Sequence, residues 1–569
     1  MNKTFQAWID AANEMGAYKE TIVERVIEDD AEYWAMNIET ELLPGEWTKT
    51  YLWLGFPKHA SANPAVMHIH GGGFQTVNLD HVKHWVHKGY VALSYDWKEE
   101  ISGQERHSDL ANMPRLDMED EYAPLQSVML TRVLHAKKMI TWLSLRQEVD
   151  PNRIGVFGIS RGGSITWILN AWDDRLKAAV PIYGCGKHLA PGRLNRNIRK
   201  AHSLEDTREW NRLLDGVTLA SRQQSPVLLM TATNDYWGWL DAICEAAVQI
   251  PPAQRGLYIA ANQNHQLDHW AGNSLDRWMD VHVKGEGAWP QAPRVTFNSS
   301  TENGFDNLHA TATLDTSVQL PDKLRFCWSW WDFSEVLPPG RYWHVVEIDV
   351  SDNPSIVIPV IDPRISGYLY IDAVYADGVK ASSFPVRFSP AYIGVKHTEP
   401  QRSHVLADFS NGLDGWCCPY MRTEPYDVDF EYVILSHPDG GKALSMNEPE
   451  LLFSLATNKL VDPSMASLTD EYMLHLQLFN ELPGRWIITL FYRPDQAGEL
   501  SWTSELRVIT GWSETQIART AFHNEDGHIL PYWAKAQRIV LTFYGLSDQD
   551  DAGRAAVGKI LFDLEIKMN

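Results

Sequence analysis

Short apolar runs alternate with helical patterns over the first half of the chain. Near-continuous apolar strands separated by helices are typical of a parallel sheet that is covered on both faces. The pattern therefore predicts an α/β domain over residues 1–290, with a mostly parallel sheet flanked by helices. Its predicted strands lie at residues 65–69, 90–95, 153–159, 178–183, 226–231 and 257–260, its predicted antiparallel leading strands at residues 20–27 and 48–56, and its predicted helices at residues 125–145, 164–170 and 274–283.

The pattern changes after residues 284–294, KGEGAWPQAPR, where Gly and Pro predict a domain boundary. Over residues 295–392, short alternating runs separated by Pro, Gly and Asp turns predict a small antiparallel β-sandwich, immunoglobulin-like in style. Residues 402–569 again have strand character. Their opening segment, LADFSNGLDGW at residues 406–416, resembles the entry strand of jelly-roll domains of the galactose-binding or carbohydrate-binding-module type. We therefore predict two all-β domains after the α/β domain.

Composition excludes several classes of function. A net charge of −23 without a long basic run disfavours a nucleic-acid partner. The five cysteines form no CxxC pair, so neither a zinc site nor a disulfide framework is predicted. No apolar stretch reaches about 18 residues, and we expect no membrane association. The first residues lack an apolar core of about 7–15 residues, which predicts a cytoplasmic protein unless a leader has been removed.

The strongest chemical motif lies between a predicted strand and a predicted helix. Residues 158–162 read Gly-Ile-Ser-Arg-Gly, a G-x-S-x-G element, and another Gly follows. A Ser on such a sharp turn has its hydroxyl clear of the backbone, and the glycines permit the turn. The following helix places its N-terminus and the Arg161 N–H beside a developing oxyanion. Ser160 is the predicted nucleophile; the alternative is an ordinary Gly-rich turn.

A second glycine-rich loop, HGGGF at residues 70–74, follows the predicted strand 65–69. Glycines let backbone N–H groups point into a cleft, so Gly72 and Gly73 are the candidate oxyanion-hole donors alongside Arg161. A plain turn or a phosphate-cradling loop is the alternative, although the spacing differs from that of a P-loop.

A serine nucleophile needs a general base, and the base needs an orienting acid. Asp235 directly follows the predicted strand 226–231, and Asp241 is the runner-up. His265 follows the predicted strand 257–260, with His269 as the alternative base. Asp235 could instead be a simple helix N-cap.

The chain over residues 20–285 resembles the α/β-hydrolase superfamily. The resemblance is carried by EVDPNRIGVF before GISRGG, by the HGGGF loop, and by the TND and NQNH segments. The nearest branches are the acetyl xylan esterase, dienelactone hydrolase and prolyl-oligopeptidase-like catalytic domains. The resemblance implies a triad of Ser160, Asp235 and His265 that cleaves esters or peptide bonds. Dienelactone hydrolases use Cys at the nucleophile elbow, the sharp strand-to-helix turn that here carries Ser160. Prolyl oligopeptidases carry an N-terminal propeller. Both differences favour an esterase.

We therefore predict a serine hydrolase that cleaves a carboxylic ester through an acyl-enzyme, without a cofactor or metal. A small-molecule or carbohydrate ester is the expected substrate, and homo-oligomer formation is left open. A serine peptidase or amidase with the same triad is the first alternative. A non-enzymatic protein that binds through its jelly-roll domain is the second.

Further residues are candidates for substrate contacts. Trp237 and Trp239 follow Asp235 and are predicted to form either a wall for a flat ligand or part of a domain interface. A lid is predicted at residues 184–225, because the connection is far longer than an ordinary loop. Within it, Arg193 and Arg196 belong to a basic cluster that either faces water or binds an anionic group of the substrate.

Overall fold

The computed structural model describes most of the chain, and every structural statement below concerns these residues. They are residues 3–72, 77–97, 125–185, 204–398, 404–419, 432–446, 453–545 and 554–564, apart from residues 29, 44, 126, 411, 414, 418, 466, 467, 497 and 509.

A nine-stranded mixed sheet organises the first half of the chain. Its order is β1-β2-β3-β5-β4-β6-β7-β8-β9. In this order, neighbouring strands from β1 to β5 pair antiparallel, and neighbouring strands from β5 to β9 pair parallel. The predicted mostly parallel sheet is confirmed, and the antiparallel strand β2 is an addition that the sequence prediction missed. The strands are β1 (Tyr18–Ile27), β2 (Ala31–Leu43), β3 (Glu46–Pro57), β4 (Asn63–Ile69), β5 (Val91–Tyr95), β6 (Val149–Ile159), β7 (Leu176–Ile182), β8 (Val227–Ala232) and β9 (Arg255–Ala260).

Helices cover this sheet, as expected for an α/β fold. The third and fourth are buried on nearly all sides, because they pack against the sheet and each other. The seventh continues into a π-helical turn, Asp280–Lys284, which ends at Gly285 with a φ of 81°. The helices of this part are α1 (Lys3–Ala11), α2 (Leu79–His87), α3 (Val128–Ser144), α4 (Arg161–Trp172), α5 (Leu204–Leu214), α6 (Leu240–Ala247) and α7 (Ala271–Met279).

Strands β10–β17, here called the second region, form two antiparallel sheets around their own apolar core. One sheet has the order β10-β11-β14; the other has the order β13-β12-β15-β16, with β17 paired to β15. A short helix α8 (Pro390–Ile393) follows. The strands are β10 (Arg294–Glu302), β11 (Phe305–Thr313), β12 (Lys323–Trp330), β13 (His344–Asp349), β14 (Ser355–Ile358), β15 (Gly367–Val374), β16 (Lys380–Ser382) and β17 (Val386–Phe388).

Strands β18–β27, here called the third region, also form two antiparallel sheets around a separate core. Their orders are β19-β20-β27-β22-β25, with β18 on β27, and β21-β26-β23-β24. Both all-β parts are therefore present, while the domain limits at residues 290–295 and 392–402 stay a prediction. The strands are β18 (Val405–Ala407), β19 (Tyr432–Ser436), β20 (Lys442–Met446), β21 (Ser454–Thr457), β22 (Tyr472–Asn480), β23 (Gly484–Tyr492), β24 (Leu500–Val508), β25 (Gly511–Ala518), β26 (Arg538–Gly545) and β27 (Ala555–Leu564).

Two tryptophans of the third region bear on carbohydrate binding. Trp416 and Trp502 belong to a residue type that can stack on sugar rings where it is exposed. Trp416 is 1% exposed and Trp502 is 4% exposed, and both belong to the core of this region. A buried indole has no face to offer a sugar ring, so both side chains serve packing.

Two further features complete the fold. Among the described helices, none is both long and apolar enough to cross a membrane. The described cysteines at positions 185, 244 and 327 are free thiols.

Candidate active site

Ser160 lies at the turn between β6 and α4. Its φ of 56° and ψ of −114° fall outside the regions that residues with a side chain normally adopt. The turn is held by two backbone hydrogen bonds: Ser160 N–H donates to Ile182 at 2.9 Å, and Ser164 N–H donates to Ser160 at 3.0 Å. The strand–turn–helix context that the sequence predicts is therefore present, with a strained serine at its apex.

The glycines around Ser160 are required by close backbone packing. A Cβ atom on Gly162 would overlap the carbonyl oxygens of Ile69 and His70, and one on Gly163 would overlap that of Ile182. The first turn of α4 therefore sits directly against the ends of β4 and β7. This packing brings the N-terminus of α4, and with it the Arg161 N–H, to the carboxyl edge of the sheet.

The structure brings Ser160, His265 and Asp235 together as an unbroken hydrogen-bonded chain. Ser160 Oγ lies 2.8 Å from His265 Nε2, and His265 Nδ1 lies 2.6 Å from Asp235 Oδ2. His265 and Asp235 are buried, whereas Ser160 is partly exposed. With the proton on Nδ1 held by Asp235, Nε2 has a lone pair that can accept the Ser160 proton.

Backbone donors hold the second oxygen of Asp235. Its Oδ1 accepts the N–H of Trp237 at 2.7 Å and also that of Gly238. Helix α6 begins later, at Leu240, so Asp235 is not the N-cap of that helix. Both carboxylate oxygens of Asp235 therefore have hydrogen-bond partners, one in the imidazole and the other in the backbone.

The alternative acid and base lie elsewhere. Asp241 is in the first turn of α6, where its Oδ1 accepts the N–H of Ala242 at 2.8 Å. His269 is exposed, and its ring centroid lies 3.8 Å from that of Trp270. The chain of hydrogen bonds to Ser160 runs through Asp235 and His265.

Two tyrosines that sequence reasoning missed flank the imidazole. The ring centroids of Tyr183 and Tyr236 lie 4.5 Å and 4.7 Å from that of His265. Tyr183 directly follows β7, and Tyr236 directly follows Asp235. Their position after sheet strands was a usable signal, although an aromatic residue there is as often a packing residue.

The HGGGF loop is anchored by its histidine. His70 is fully buried, with Nε2 at 3.2 Å from Asp96 Oδ1 and its ring stacked on Trp97. Trp97 Nε1–H donates to the His70 carbonyl at 2.8 Å. Gly72 follows beside the elbow, since a Cβ built on it would lie 4.0 Å from Arg161 Cβ. Gly73 lies outside the described residues.

The residues predicted to contact the substrate do not all lie where that role requires. The Arg161 guanidinium lies 4.7 Å from the ring centroid of Trp237, which is partly buried next to the elbow. Trp239 is only 1% exposed, so the prediction that it offers a ligand face does not fit its position. Arg193 and Arg196 lie outside the described residues, and their role stays a prediction. Of the predicted lid, the described part contains α5 and a 3₁₀ turn, Ala220–Arg222.

One group within the described part of the chain has the spacing of a metal site. Glu28, Asp30 and His87 could each offer one ligand atom, but the group is largely exposed. Glu28 already pairs with Lys83 at 2.6 Å. This group lies on the β1–β2 turn and the end of α2, apart from the elements that carry the candidate active site.

Comparison with protein families agrees with this geometry. Residues 45–188 match the family model described as "Acetyl xylan esterase (AXE1)", over about a quarter of the chain. The matched part contains the HGGGF loop and Ser160, while Asp235 and His265 follow it. Residues 45–188 are thus similar to a family of carboxylic ester hydrolases. No curated protein matches the sequence significantly.

Solved structures similar to the chain cover about half of its length. The acetyl xylan esterase from Paenibacillus sp. R4 is 18% identical, with a TM-score of 0.39, over 50% of this chain and 95% of that one. Acetyl xylan esterase 1 from Thermoanaerobacterium sp. JW/SL YS485 is 16% identical, with a TM-score of 0.38, over 49% and 93%. A glucuronoyl esterase from Solibacter usitatus is 13% identical, with a TM-score of 0.36, over 49% and 92%. At these values the structures carry no inference about function.

Proposed function

We propose that this protein hydrolyses a carboxylic ester through an acyl-enzyme on Ser160, with His265 as general base and Asp235 as its orienting acid. One observation carries the proposal. Ser160 Oγ, both nitrogens of His265 and a carboxylate oxygen of Asp235 form a continuous chain at 2.8 Å and 2.6 Å, on a strained turn at the start of a helix.

The chemistry follows from these contacts. His265 Nε2 takes the hydroxyl proton as Ser160 Oγ attacks the ester carbonyl, and Asp235 stabilises the imidazolium that forms. The Arg161 N–H, at the first residue of α4, donates to the oxyanion together with the glycine loop that contains Gly72. The tetrahedral intermediate then collapses, and His265 returns the proton to the leaving alcohol. A water molecule activated by His265 releases the acid.

The proposed substrate is an ester of a small molecule or carbohydrate, such as an acetylated sugar. The family match over residues 45–188 supports this class. Trp237, with the Arg161 guanidinium against its ring, is the proposed wall for the substrate. A serine peptidase or amidase would use the same triad, and it is an outcome of the assay below.

The other parts of the chain have proposed roles as well. The two sheets of the second region support an immunoglobulin-like sandwich over residues 295–392, and those of the third region support a jelly-roll domain over residues 402–569. We propose both as accessory domains of the esterase.

The test is a substrate panel with matched variants. Purified protein is assayed on p-nitrophenyl acetate and butyrate, acetylated xylo-oligosaccharides and peptide anilides. Ser160→Ala and His265→Ala should each lower kcat by about 10⁴ to 10⁶ while the Tm stays near that of wild type. His269→Ala, the matched histidine control, should remain active. Near-wild-type activity of Ser160→Ala would overturn the proposal, and faster cleavage of anilides than of esters would favour the peptidase.

A further inference from the structure

The two loops that carry Asp235 and His265 are held by residues from outside the nine-stranded sheet. Residue 234 immediately precedes the acid, and residues 262 and 264 lie in the loop of the base. All three are asparagines, and each donates a side-chain hydrogen bond to the second or third region. The contacts therefore join the candidate catalytic loops to parts of the chain that come much later in the sequence.

The second region contributes backbone groups. Asn234 Nδ2 donates to the carbonyl oxygen of Arg341 at 2.6 Å. Asn262 pairs with Trp343 in both directions, since its Nδ2 donates to the Trp343 carbonyl at 2.6 Å and its Oδ1 accepts the Trp343 N–H at 2.9 Å. A single segment, residues 338–343, thus contacts both loops.

The third region holds the same segment from its other side. Asn458 Nδ2 donates to the carbonyl oxygens of Pro339 and Arg341, both at 3.0 Å. Arg538 Nη2 donates to Pro339 at 3.0 Å, and its Nε donates to Asn458 Oδ1 at 2.8 Å. The segment that supports the loops is therefore fixed in place by the third region.

Asn264 makes the most direct link. Its Oδ1 accepts the backbone N–H of Tyr236, the residue after Asp235, at 3.1 Å. Its Nδ2 donates to Asp495 Oδ2 of the third region at 3.1 Å. The same oxygen of Asp495 accepts a hydrogen bond from Arg538 Nη1 at 2.7 Å, so the guanidinium both pairs with the carboxylate and orients it. The side-chain amide of Asn264 thus joins the loop of Asp235, the loop of His265 and the third region.

The loop that contains His265, here called the base loop, has a strained backbone that needs these hydrogen bonds. Asn262 has a φ of 57° and His265 a φ of 52°, both in the left-handed region that residues with a side chain adopt at a cost in free energy. Strained residues of this kind persist where the surroundings over-determine their conformation. Here the hydrogen bonds through Asn262 and Asn264, which both lie just before His265, supply that constraint.

We propose that Asn264 and Asp495 are positioning residues, through which the third region sets the orientation of the His265 imidazole toward Ser160. This inference rests on the proposed function. A misplacement of about 1 Å in a catalytic group can cost about 100-fold in rate, so a loose base loop lowers kcat although the substrate still binds. The third region is thereby part of the catalytic machinery even if it binds no ligand.

The experiment measures phosphonylation of Ser160 by a fluorophosphonate probe, in which the serine oxygen displaces fluoride and the base takes the proton. The full-length chain is used, with ester kcat and KM measured in parallel. Asn264→Ala and Asp495→Ala should each lower the labelling rate and kcat about tenfold, with KM changed less than about twofold. The double variant should lose no more than Asn264→Ala alone, because Asp495 acts on the loop through its bond to Asn264. Asp439→Ala, an exposed carboxylate of the same region, is the matched control and should behave as wild type.

A conservative variant keeps the test decisive if Asp495→Ala does not fold. Asp495→Asn retains an oxygen that can accept both Asn264 and Arg538, so it should keep most of the labelling rate. Unchanged labelling in Asn264→Ala or Asp495→Ala, multiplied losses in the double variant, or a loss in Asp495→Asn as large as in Asp495→Ala would overturn the inference. If wild type is not labelled, or labelling persists in Ser160→Ala, the proposed function itself fails.

Discussion

The side-chain amide of Asn234 donates a hydrogen bond of 2.6 Å to the carbonyl oxygen of Arg341, across the boundary between the nine-stranded sheet and the second region. Asn234 is 2% exposed and directly precedes Asp235. Its Oδ1 accepts the Thr233 hydroxyl at 2.7 Å, and Thr233 Oγ1 in turn accepts the N–H of Asn262 at 2.7 Å. Contact between regions and alignment of the catalytic loops therefore depend on the same side chain.

We expect Asn234→Ala to lower both stability and activity. Removing the buried amide takes a donor from the Arg341 carbonyl and an acceptor from the Thr233 hydroxyl, which typically costs about 1–3 kcal/mol in the free energy of unfolding. The Tm and kcat of the variant, measured together, check this expectation. Asn273→Ala is a suitable control, because Asn273 contacts the Asp377 carbonyl of the second region on the exposed surface. A variant at position 234 as stable and active as this control would contradict the expectation.

Ser160→Gly should be more stable than Ser160→Ala, although both lack the nucleophile. Glycine adopts a positive φ readily, whereas the Cβ of alanine retains the strain of the elbow. The expected difference is about 1 kcal/mol in the free energy of unfolding, after the greater entropy of glycine in the unfolded chain is subtracted. Calorimetric melting of the two variants side by side measures it. Equal Tm values would mean that the elbow carries little strain.

Gly162→Ala and Gly72→Ala should differ strongly in stability. The new methyl group at position 162 overlaps backbone oxygens at the end of β4, which cannot move without displacing the sheet. We expect a loss of about 1–3 kcal/mol or more in the free energy of unfolding. At position 72 the nearest atom is Arg161 Cβ at 4.0 Å, an ordinary contact, and the stability should change little. Comparable Tm losses for the two variants would refute this account of the packing.

Acid should weaken the contribution of Asp268, which links the base loop to the second region. Burial opposes ionisation, but the charges of Lys380 and Arg325 lower the pKa of Asp268. Lys380 Nζ lies 2.6 Å from this carboxylate, Tyr258 donates to it, and Asp372 lies 3.6 Å from the same Lys380 Nζ. Because the folded-state pKa is depressed, the stabilisation is present above the unfolded value of about 3.9 and is lost as pH falls through the folded value.

Asp268→Asn reveals this effect through the pH dependence of its Tm. At neutral pH the variant should melt below wild type, because Lys380 is left with a less compensated buried charge. The gap should stay constant down to about pH 5 and narrow below about pH 4. A gap that is independent of pH down to pH 3 would show that Asp268 acts through packing alone.

Chelators should leave the esterase activity intact. The nucleophile Ser160 and the base His265 both come from the chain, so the proposed reaction needs no metal. Activity is measured after prolonged treatment with EDTA and dialysis. Loss of activity that a divalent cation restores would contradict this expectation and direct attention to Glu28, Asp30 and His87.

Much of the fold and of the candidate site was predictable because the signals are local. Each of the six apolar runs corresponds to one of the strands β4–β9 within a few residues, since a buried parallel strand must be apolar along its length. Strand β2 was missed because its buried positions alternate with partly exposed ones, among them Glu32, Glu39 and Glu41. The position of Ser160 followed from the glycines around it, because only residues without a Cβ permit that turn.

The sequence by itself thus determined the order of strands and helices, the glycine-rich turns, and the acid and base candidates that follow the strands. Tertiary structure decided which tryptophans are buried, as with Trp239, and which side chains support the base loop. Asn264 and Asp495 are 231 positions apart in the chain, and neither has a local pattern that points to the other. Hydrogen-bond partners of this kind arise only when separately folded sheets pack together, because the geometry that pairs them belongs to the interface between the sheets and to no single segment.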